Sequence, residues 1–334
     1  MKHATRNILR VLLGVPLTVV SLLFVINFIY SSRFEVLPYL KNFNILGVAV
    51  GMIFLGLFFV ARSFVWREVM TREGFHISAR KSAFLLAVSE LKRYIPGSIF
   101  AIAGRIDRFS TYKIPAKTVF RMIFYESILF VAASLLVSIP ALLFLADKHN
   151  ISREVLYIAA VFLITIFLIT YFSTKISKKI KQVPKYSNAF SMMIAAWLCF
   201  GIGNYLILSS FYFLDPKKIV EIASLAVFSW LIGYAAIITP LGLGVREAFL
   251  TYTLSFFAPL GISAALAIIA RAAFTLTEIV FLFALFLLNK IVKSLPKVQS
   301  TVILLWASIF SYNAYFTYYS IEKYNNFFTG RFDL

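Results

Sequence analysis

Apolar segments of membrane-spanning length follow one another along almost the whole chain, and this pattern constrains the fold more than any other feature. A helix that crosses the roughly 30 Å hydrocarbon core needs about 20 apolar residues. Of the 334 residues, 61% are hydrophobic and only 14% are charged, whereas about a quarter are charged in a soluble domain. The sequence therefore predicts an all-α polytopic membrane protein with one transmembrane domain over residues 1–334. The apolar runs are 11–30, 44–66, 83–103, 119–146, 155–173, 189–214, 219–239, 245–258, 262–288 and 300–320.

The formal net charge of +19 has a membrane explanation. Lysine and arginine lie mostly in the short connections between apolar runs, where the positive-inside rule and anionic lipids account for them. The densest basic loop is 175–185, and the connections with balanced charge alternate with the basic ones. This distribution predicts a multi-pass protein of the cytoplasmic membrane with a cytoplasmic N-terminus, and it disfavours a nucleic-acid partner.

Two of the apolar stretches are interrupted by proline and glycine and are predicted to be re-entrant hairpins. The run 83–103 is broken at Pro96-Gly97 and has basic loops on both flanks, so it should enter and leave the membrane on the cytoplasmic side. The stretch 219–258 is broken between Pro240 and Gly244 and should return to the opposite side. Besides these two hairpins, about eight full spans are predicted. The alternative is that proline and glycine only kink these helices, as they often do in membranes.

The order of spans and hairpins predicts an inverted repeat. An N-terminal span within 1–43 precedes repeat one, residues 44–173, and the inverted repeat two follows in 189–320. Each hairpin has a proline followed by an arginine, and the next long span in each half carries an arginine and then a glutamate. Helices broken at corresponding positions of inverted repeats are typical of transporters that bind their substrate between the repeats.

The two breaks are also the predicted substrate site. A half-helix that begins inside the membrane offers unpaired N–H groups and a partial positive charge to an anion such as phosphate, and arginine matches phosphate geometry well. The alternative is that these arginines lie at the membrane surface and extend toward water. The candidate substrate-binding residues are Pro96, Gly97, Ser98, Arg105, Pro240, Gly242, Gly244, Arg246 and Glu247.

Charged residues inside apolar runs form a second candidate group: Glu90, Arg121, Glu126, Arg271 and Glu278. Such residues are costly in a bilayer and should face partners in the bundle interior. Arg271 and Glu278 are spaced to share one helix face, whereas Arg121 and Glu126 point to different faces. One or more of the carboxylates either carries a proton during transport or belongs to a structural ion pair.

No catalytic, metal or cofactor site is expected. The histidines are His3, His76 and His149, none of them within an apolar run, and Cys199 is the only cysteine. The runs therefore contain no histidine that could act as a base, and a zinc cluster is excluded. The sequence predicts that the protein is not an enzyme.

Two motifs resemble a known family. The segment Leu91-Lys92-Arg93-Tyr94-Ile95-Pro96-Gly97-Ser98, continuing to Ala103-Gly104-Arg105, resembles its first signature. Thr239-Pro240-Leu241-Gly242-Leu243-Gly244-Val245-Arg246-Glu247-Ala248 resembles the second, although a proline-glycine-glycine form is commoner there. The family is the transmembrane region of lysylphosphatidylglycerol synthases, which also occurs as stand-alone flippase-like proteins. The chain ends at Leu334 without the soluble lysyl-transferase domain, so aminoacyl transfer is not expected.

The resemblance implies lipid transport. The expected function is flippase-like movement of a phosphate-bearing lipid across the membrane, and the expected partners are anionic or polyprenyl-phosphate-linked lipids. An accessory subunit that presents a lipid-linked substrate to a separate glycosyltransferase is the alternative.

Overall fold

The computed structural model describes residues 43–91, 105–106, 109, 112, 114–149, 187–236 and 244–291. The chain divides into two compact units, Met1–Leu285 and Phe286–Leu334. Nearly all of the described residues belong to the first unit. The described residues are helical and contain no strand, which confirms the predicted all-α class. The helices are α1 Ile45–Arg72, α2 Ala79–Leu91, α3 Ala116–Val137, α4 Ile139–Lys148, α5 Ser187–Phe211, α6 Ile219–Ala235, α7 Val245–Leu254 and α8 Leu260–Ile291.

Five helical segments in the described ranges are long and apolar enough to cross a membrane, which agrees with the predicted multi-pass protein. They are Ile45–Arg72, Ala116–Val137, Asn188–Phe211, Pro216–Ala235 (where a 3-10 turn leads into α6) and Leu260–Leu288. The remaining helices, α2, α4 and α7, have 13, 10 and 10 residues. At about 1.5 Å per residue they reach only about 15–20 Å, well short of a hydrocarbon core.

Helices α1 and α5 form the central pair and run antiparallel. Asn44 caps the start of α1 through its side chain, and its backbone N–H donates to the carbonyl of Ser210 at the end of α5 (2.9 Å). Small residues bring the two backbones together further along. A Cβ placed on Gly51 would lie 2.8 Å from the carbonyl oxygen of Gly203, and a Cβ placed on Gly203 would lie 2.8 Å from that of Gly51. Close backbone approach at glycine is a common way for membrane helices to associate.

Aromatic side chains fill the space around this pair. The rings of Phe58, Trp197, Phe200 and Phe274 contact one another, so α1, α5 and α8 meet in one apolar core. The first three of these rings are fully buried. This core lies beside the charged residues that form the candidate site.

Helices α6 and α7 pack against each other as an antiparallel pair. Phe228 of α6 contacts Phe249 of α7, and Trp230, further along α6, lies next to Arg246 at the beginning of α7. The two helices therefore run in opposite directions on either side of residues 237–243. Gly244 begins α7 with φ of 85°, a backbone conformation that residues other than glycine rarely adopt.

A span was predicted over the run 119–146, and a helix of spanning length is present there, Ala116–Val137, but the run is not continuous as predicted. It forms two helices that meet at Ser138, because Pro140 follows in the first turn of α4. Proline has no N–H to continue the helical ladder, and its ring collides with the preceding turn. Of these two helices, only α3 is long enough to cross the membrane.

Several predicted features lie outside the described residues. They are the runs 11–30, 155–173 and 300–320, the break at Pro96, Gly97 and Ser98, and Pro240 and Gly242 of the second break.

The contact between α1 and α5 generates the first testable prediction. In Gly51→Ala the added methyl would lie 2.6 Å from Ile207 Cγ1 and 2.8 Å from the Gly203 carbonyl oxygen. The helices must then separate, and we expect the free energy of unfolding to fall by about 1–3 kcal/mol. Gly56→Ala is the matched control on the same helix, since a Cβ there has no neighbour within 4 Å. Unfolding in detergent micelles measures both variants, and equal stabilities would contradict the close contact.

Candidate functional site

Two arginines and two glutamates form a closed ring of ion pairs, which we call the arginine–glutamate ring. Arg62 donates to Glu126 through Nε and to Glu90 through Nη1, each at 3.1 Å. Arg105 donates to the same two carboxylates through Nη1 and Nη2. Each carboxylate therefore joins both arginines, and each arginine joins both carboxylates.

The ring assembles residues from distant parts of the sequence. Arg62 comes from α1, Glu90 from α2 and Glu126 from α3. Glu126 lies about 15 Å along α3 from either end, near the middle of a membrane-spanning helix. Aromatic rings face the guanidinium groups: Arg105 lies 4.8 Å from the ring centre of Trp66, and Arg62 lies 5.4 Å from that of Phe130.

The ring buries four charges that sum to zero. The exposed fractions of the side chains are 10% for Arg62, 8% for Arg105, 12% for Glu90 and 4% for Glu126. An isolated charge in such surroundings would be strongly unfavourable, and loss of one partner from a buried pair costs about 3–5 kcal/mol. The four side chains therefore belong together as one neutral unit.

The second half of the chain places a buried arginine in an aromatic cage. The Arg246 guanidinium lies 5.5–5.6 Å from the ring centres of Phe200, Trp230 and Phe274, which belong to α5, α6 and α8. Cation–π attraction between a guanidinium and an aromatic face is strongest where water is excluded. Arg246 is only 4% exposed. Glu278, which is also buried, lies one turn beyond Phe274 on α8.

Glu247 lies at the N-terminus of α7 and has two partners. One carboxylate oxygen accepts from the backbone N–H of Gly244 at 2.8 Å, and the other accepts from Arg271 of α8 at 3.1 Å. A carboxylate at this position is stabilised by the exposed N–H groups and the positive end of the helix dipole. In this structure the Glu247 carboxylate thus holds one N–H of this helix terminus, that of Gly244.

A short aromatic path connects the ring to the Arg246 cage. Phe130 contacts Arg62 and also contacts Trp230, at 5.3 Å between ring centres, and Trp230 in turn contacts Arg246. Trp197 lies against Phe130 at 4.7 Å. The two arginine sites, one from each half of the chain, are separated by aromatic side chains within one apolar core.

The predicted charged residues thus fall into three places. Glu90, Arg105 and Glu126 meet in the ring, and Arg246, Glu247, Arg271 and Glu278 lie in α7 and α8. Arg121 lies apart from both groups, because it is exposed and pairs with Glu73 at the end of α1. The expectation that Arg121 and Glu126 do not pair with each other agrees with these contacts.

Arg62 is the functional candidate that the sequence reasoning missed. It lies within the predicted span 44–66, and an arginine at such a position needs a buried partner. That signal was present in the sequence. The aromatic partners Trp66, Trp230 and Phe200 carried no comparable signal, because aromatic residues are frequent throughout the chain.

Within the described ranges, no cluster of three or more histidine, cysteine, aspartate or glutamate residues has an arrangement that could hold a metal ion. The chemical capacity of the ring is to offer forked N–H donors to an anion, and to hold or release carboxylate charge.

The fold and these sites define an α-helical membrane protein with several spans. No protein-family model matches the chain, and a search of the curated proteins gives no significant match.

A double-mutant cycle tests whether the ring acts as one unit. Arg62→Gln and Glu126→Gln should each lower the free energy of unfolding by about 3–5 kcal/mol, because each leaves an uncompensated buried charge. The double variant restores neutrality, so it should be more stable than the sum of the two effects implies, by about 1–3 kcal/mol.

The matched control is the exposed pair Glu68 and Arg72, one turn apart on α1 at 2.7 Å. The same substitutions there should show a coupling of only about 0.3–0.5 kcal/mol. A coupling at the ring as small as that of the control would contradict the neutral-unit account.

Proposed function

We propose that the chain is a flippase-like translocator of a phosphate-bearing lipid, either a phospholipid or a lipid-linked sugar, in the cytoplasmic membrane. We further propose that it is related to the transmembrane region of lysylphosphatidylglycerol synthases, on the motifs around Pro96 and Pro240. The observation that carries the proposal is the burial of Arg105 and Arg246 deep in an apolar helix bundle. Buried intramembrane charges of this kind commonly mark the path of a polar substrate.

The chemistry of the two arginines suits a phosphate. Each guanidinium presents planar N–H donors that match two phosphate oxygens, and an apolar site strengthens such charge-assisted hydrogen bonds. The acyl or prenyl chains would remain in the surrounding lipid while the headgroup moves between the arginines. The aromatic side chains between the two arginine sites would have to move aside during this step.

An inverted repeat is part of the proposal, and two observations support it. The contact between Gly51 and Gly203 is reciprocal, as expected where counterpart antiparallel helices cross beside a pseudo-two-fold axis. The sequence separation of Gly51 and Gly203 equals that of Glu126 and Glu278, the glutamates of the next long span in each half. One sequence offset therefore relates both pairs.

The proposed topology has about eight spans, two re-entrant hairpins and a cytoplasmic N-terminus. The antiparallel packing of α6 and α7 supports the second hairpin, since α7 has only 10 residues. The basic residues at the end of α1 and the start of α2, Arg67, Arg72, Arg80 and Lys81, support a cytoplasmic position for that end of the bundle.

Leaflet exchange in proteoliposomes tests the function. Fluorescent phospholipids of different headgroups and a polyprenyl-phosphate sugar are offered to the wild type and to Arg246→Glu. We expect the wild type to move one lipid class and the variant to lose that movement, because a carboxylate repels the phosphate. Arg67→Glu, the same charge change on an exposed residue of α1, is the control and should retain transport.

The outcomes separate the alternatives. Undiminished exchange by a correctly inserted Arg246→Glu would contradict the role of Arg246. No exchange of any lipid by the inserted wild type would contradict the translocator. In that case, stable association with a glycosyltransferase would support the accessory-subunit alternative.

A further inference from the structure

We propose that the arginine–glutamate ring couples lipid movement to proton movement. The phosphate of the headgroup replaces Glu90 on Arg62 and Arg105, and Glu90 takes up one proton from water as it leaves. This inference rests on the proposed translocator function and names its energy source and the carboxylate involved.

The first reason to expect proton uptake is the charge balance in the buried ring. In the closed ring, two guanidinium groups are neutralised by two carboxylates. A phosphodiester brings one negative charge, so its entry beside two ionised carboxylates leaves an excess charge in an apolar bundle. Uptake of one proton by a carboxylate removes that excess, and a carboxyl group in a dry site takes up a proton more readily than it remains as a bare charge.

The second reason is that phosphate and the two carboxylates compete for the same arginine N–H donors. Arg105 donates to both glutamates, and Arg62 also donates to both. A phosphate that approaches the two guanidinium groups therefore meets donors that already hold carboxylates. Headgroup binding and carboxylate release are consequently one exchange at the same N–H groups.

Glu90 is the less buried of the two carboxylates. The exposed fraction of the Glu90 side chain is 12%, and that of Glu126 is 4%. Glu90 also lies near the end of the short helix α2, which leads to the predicted break at Pro96.

The charged groups that face Glu90 fix the direction of the effect. Arg62 from α1 and Arg105 lie in contact with it, and Glu126 from α3 lies across both guanidinium groups. Two cations hold Glu90 ionised while the ring is closed. When phosphate binds those arginines, Glu90 loses their attraction and still has the negative charge of Glu126 nearby. Both changes favour protonation of Glu90.

Each cycle then moves a proton with the lipid. The proton binds Glu90 on the side where the headgroup enters. On the other side the phosphate leaves, Glu90 returns to the two arginines, and the proton goes to water. A proton gradient in the direction of lipid movement should therefore accelerate the transport of a lipid with one net negative charge.

The test uses proteoliposomes of the full chain with a pH-sensitive dye inside and a fluorescent phosphatidylglycerol in one leaflet. For the wild type we expect the exchange rate to rise several-fold with a proton gradient, and the dye to report proton movement that depends on lipid. In Glu90→Gln the ring is left with an uncompensated positive charge, so the phosphate enters without a proton. The exchange rate of this variant should be the same with and without the gradient.

Glu68→Gln, at the exposed pair with Arg72, is the matched control and should respond to the gradient as the wild type does. A folded Glu90→Gln that responds as the wild type does would overturn the assignment to Glu90. Should the variant fail to fold, the wild-type dye signal decides. Lipid exchange whose rate is the same with and without the gradient, and that moves no protons, overturns the coupling but not the translocator function. Absence of lipid exchange under every condition overturns the translocator function itself.

Discussion

The ring formed by Arg62, Glu90, Arg105 and Glu126 is the interaction on which the rest of the structure depends. None of these charges is tolerable alone in a helix bundle surrounded by lipid, and each is neutralised only when α1, α2, α3 and Arg105 are in place. The tight glycine contact between α1 and α5 then sets where this group lies relative to the second half of the chain. Charge neutralisation and close helix packing together fix the centre of the molecule.

The second half of the chain also places charged residues inside the helix bundle, but with different partners. It contains two arginines and two glutamates in α7 and α8, but Arg246 lies in an aromatic cage, and Glu247 joins the partly exposed Arg271 to the start of α7. The donors of Arg105 are held by carboxylates, so in the proposed mechanism a substrate phosphate must exchange with an anion at the ring.

The helices could be predicted from the sequence because long apolar runs in a bilayer have few alternatives to helix. The pairing of Glu90, Arg105 and Glu126 could be predicted only in part. A buried charge needs a partner of opposite charge, but one sequence does not show which residue that partner is. Arg62 was missed although its position inside an apolar run marked it as unusual. The break at Ser138 was missed as well, because Pro140 was counted as part of a continuous span. Contacts between distant segments, such as that of Phe130 with Trp230, leave no pattern in one sequence.

The measurement that tests the central claim most directly is the number of protons taken up when a lipid binds. Titration calorimetry of the purified protein with a short-chain phosphatidylglycerol, in two buffers of different ionisation enthalpy, gives this number without transport. The account predicts uptake of about one proton for each lipid bound, because an anion that enters a neutral buried ring must be compensated. Binding without proton uptake would contradict the exchange of phosphate for a ring carboxylate.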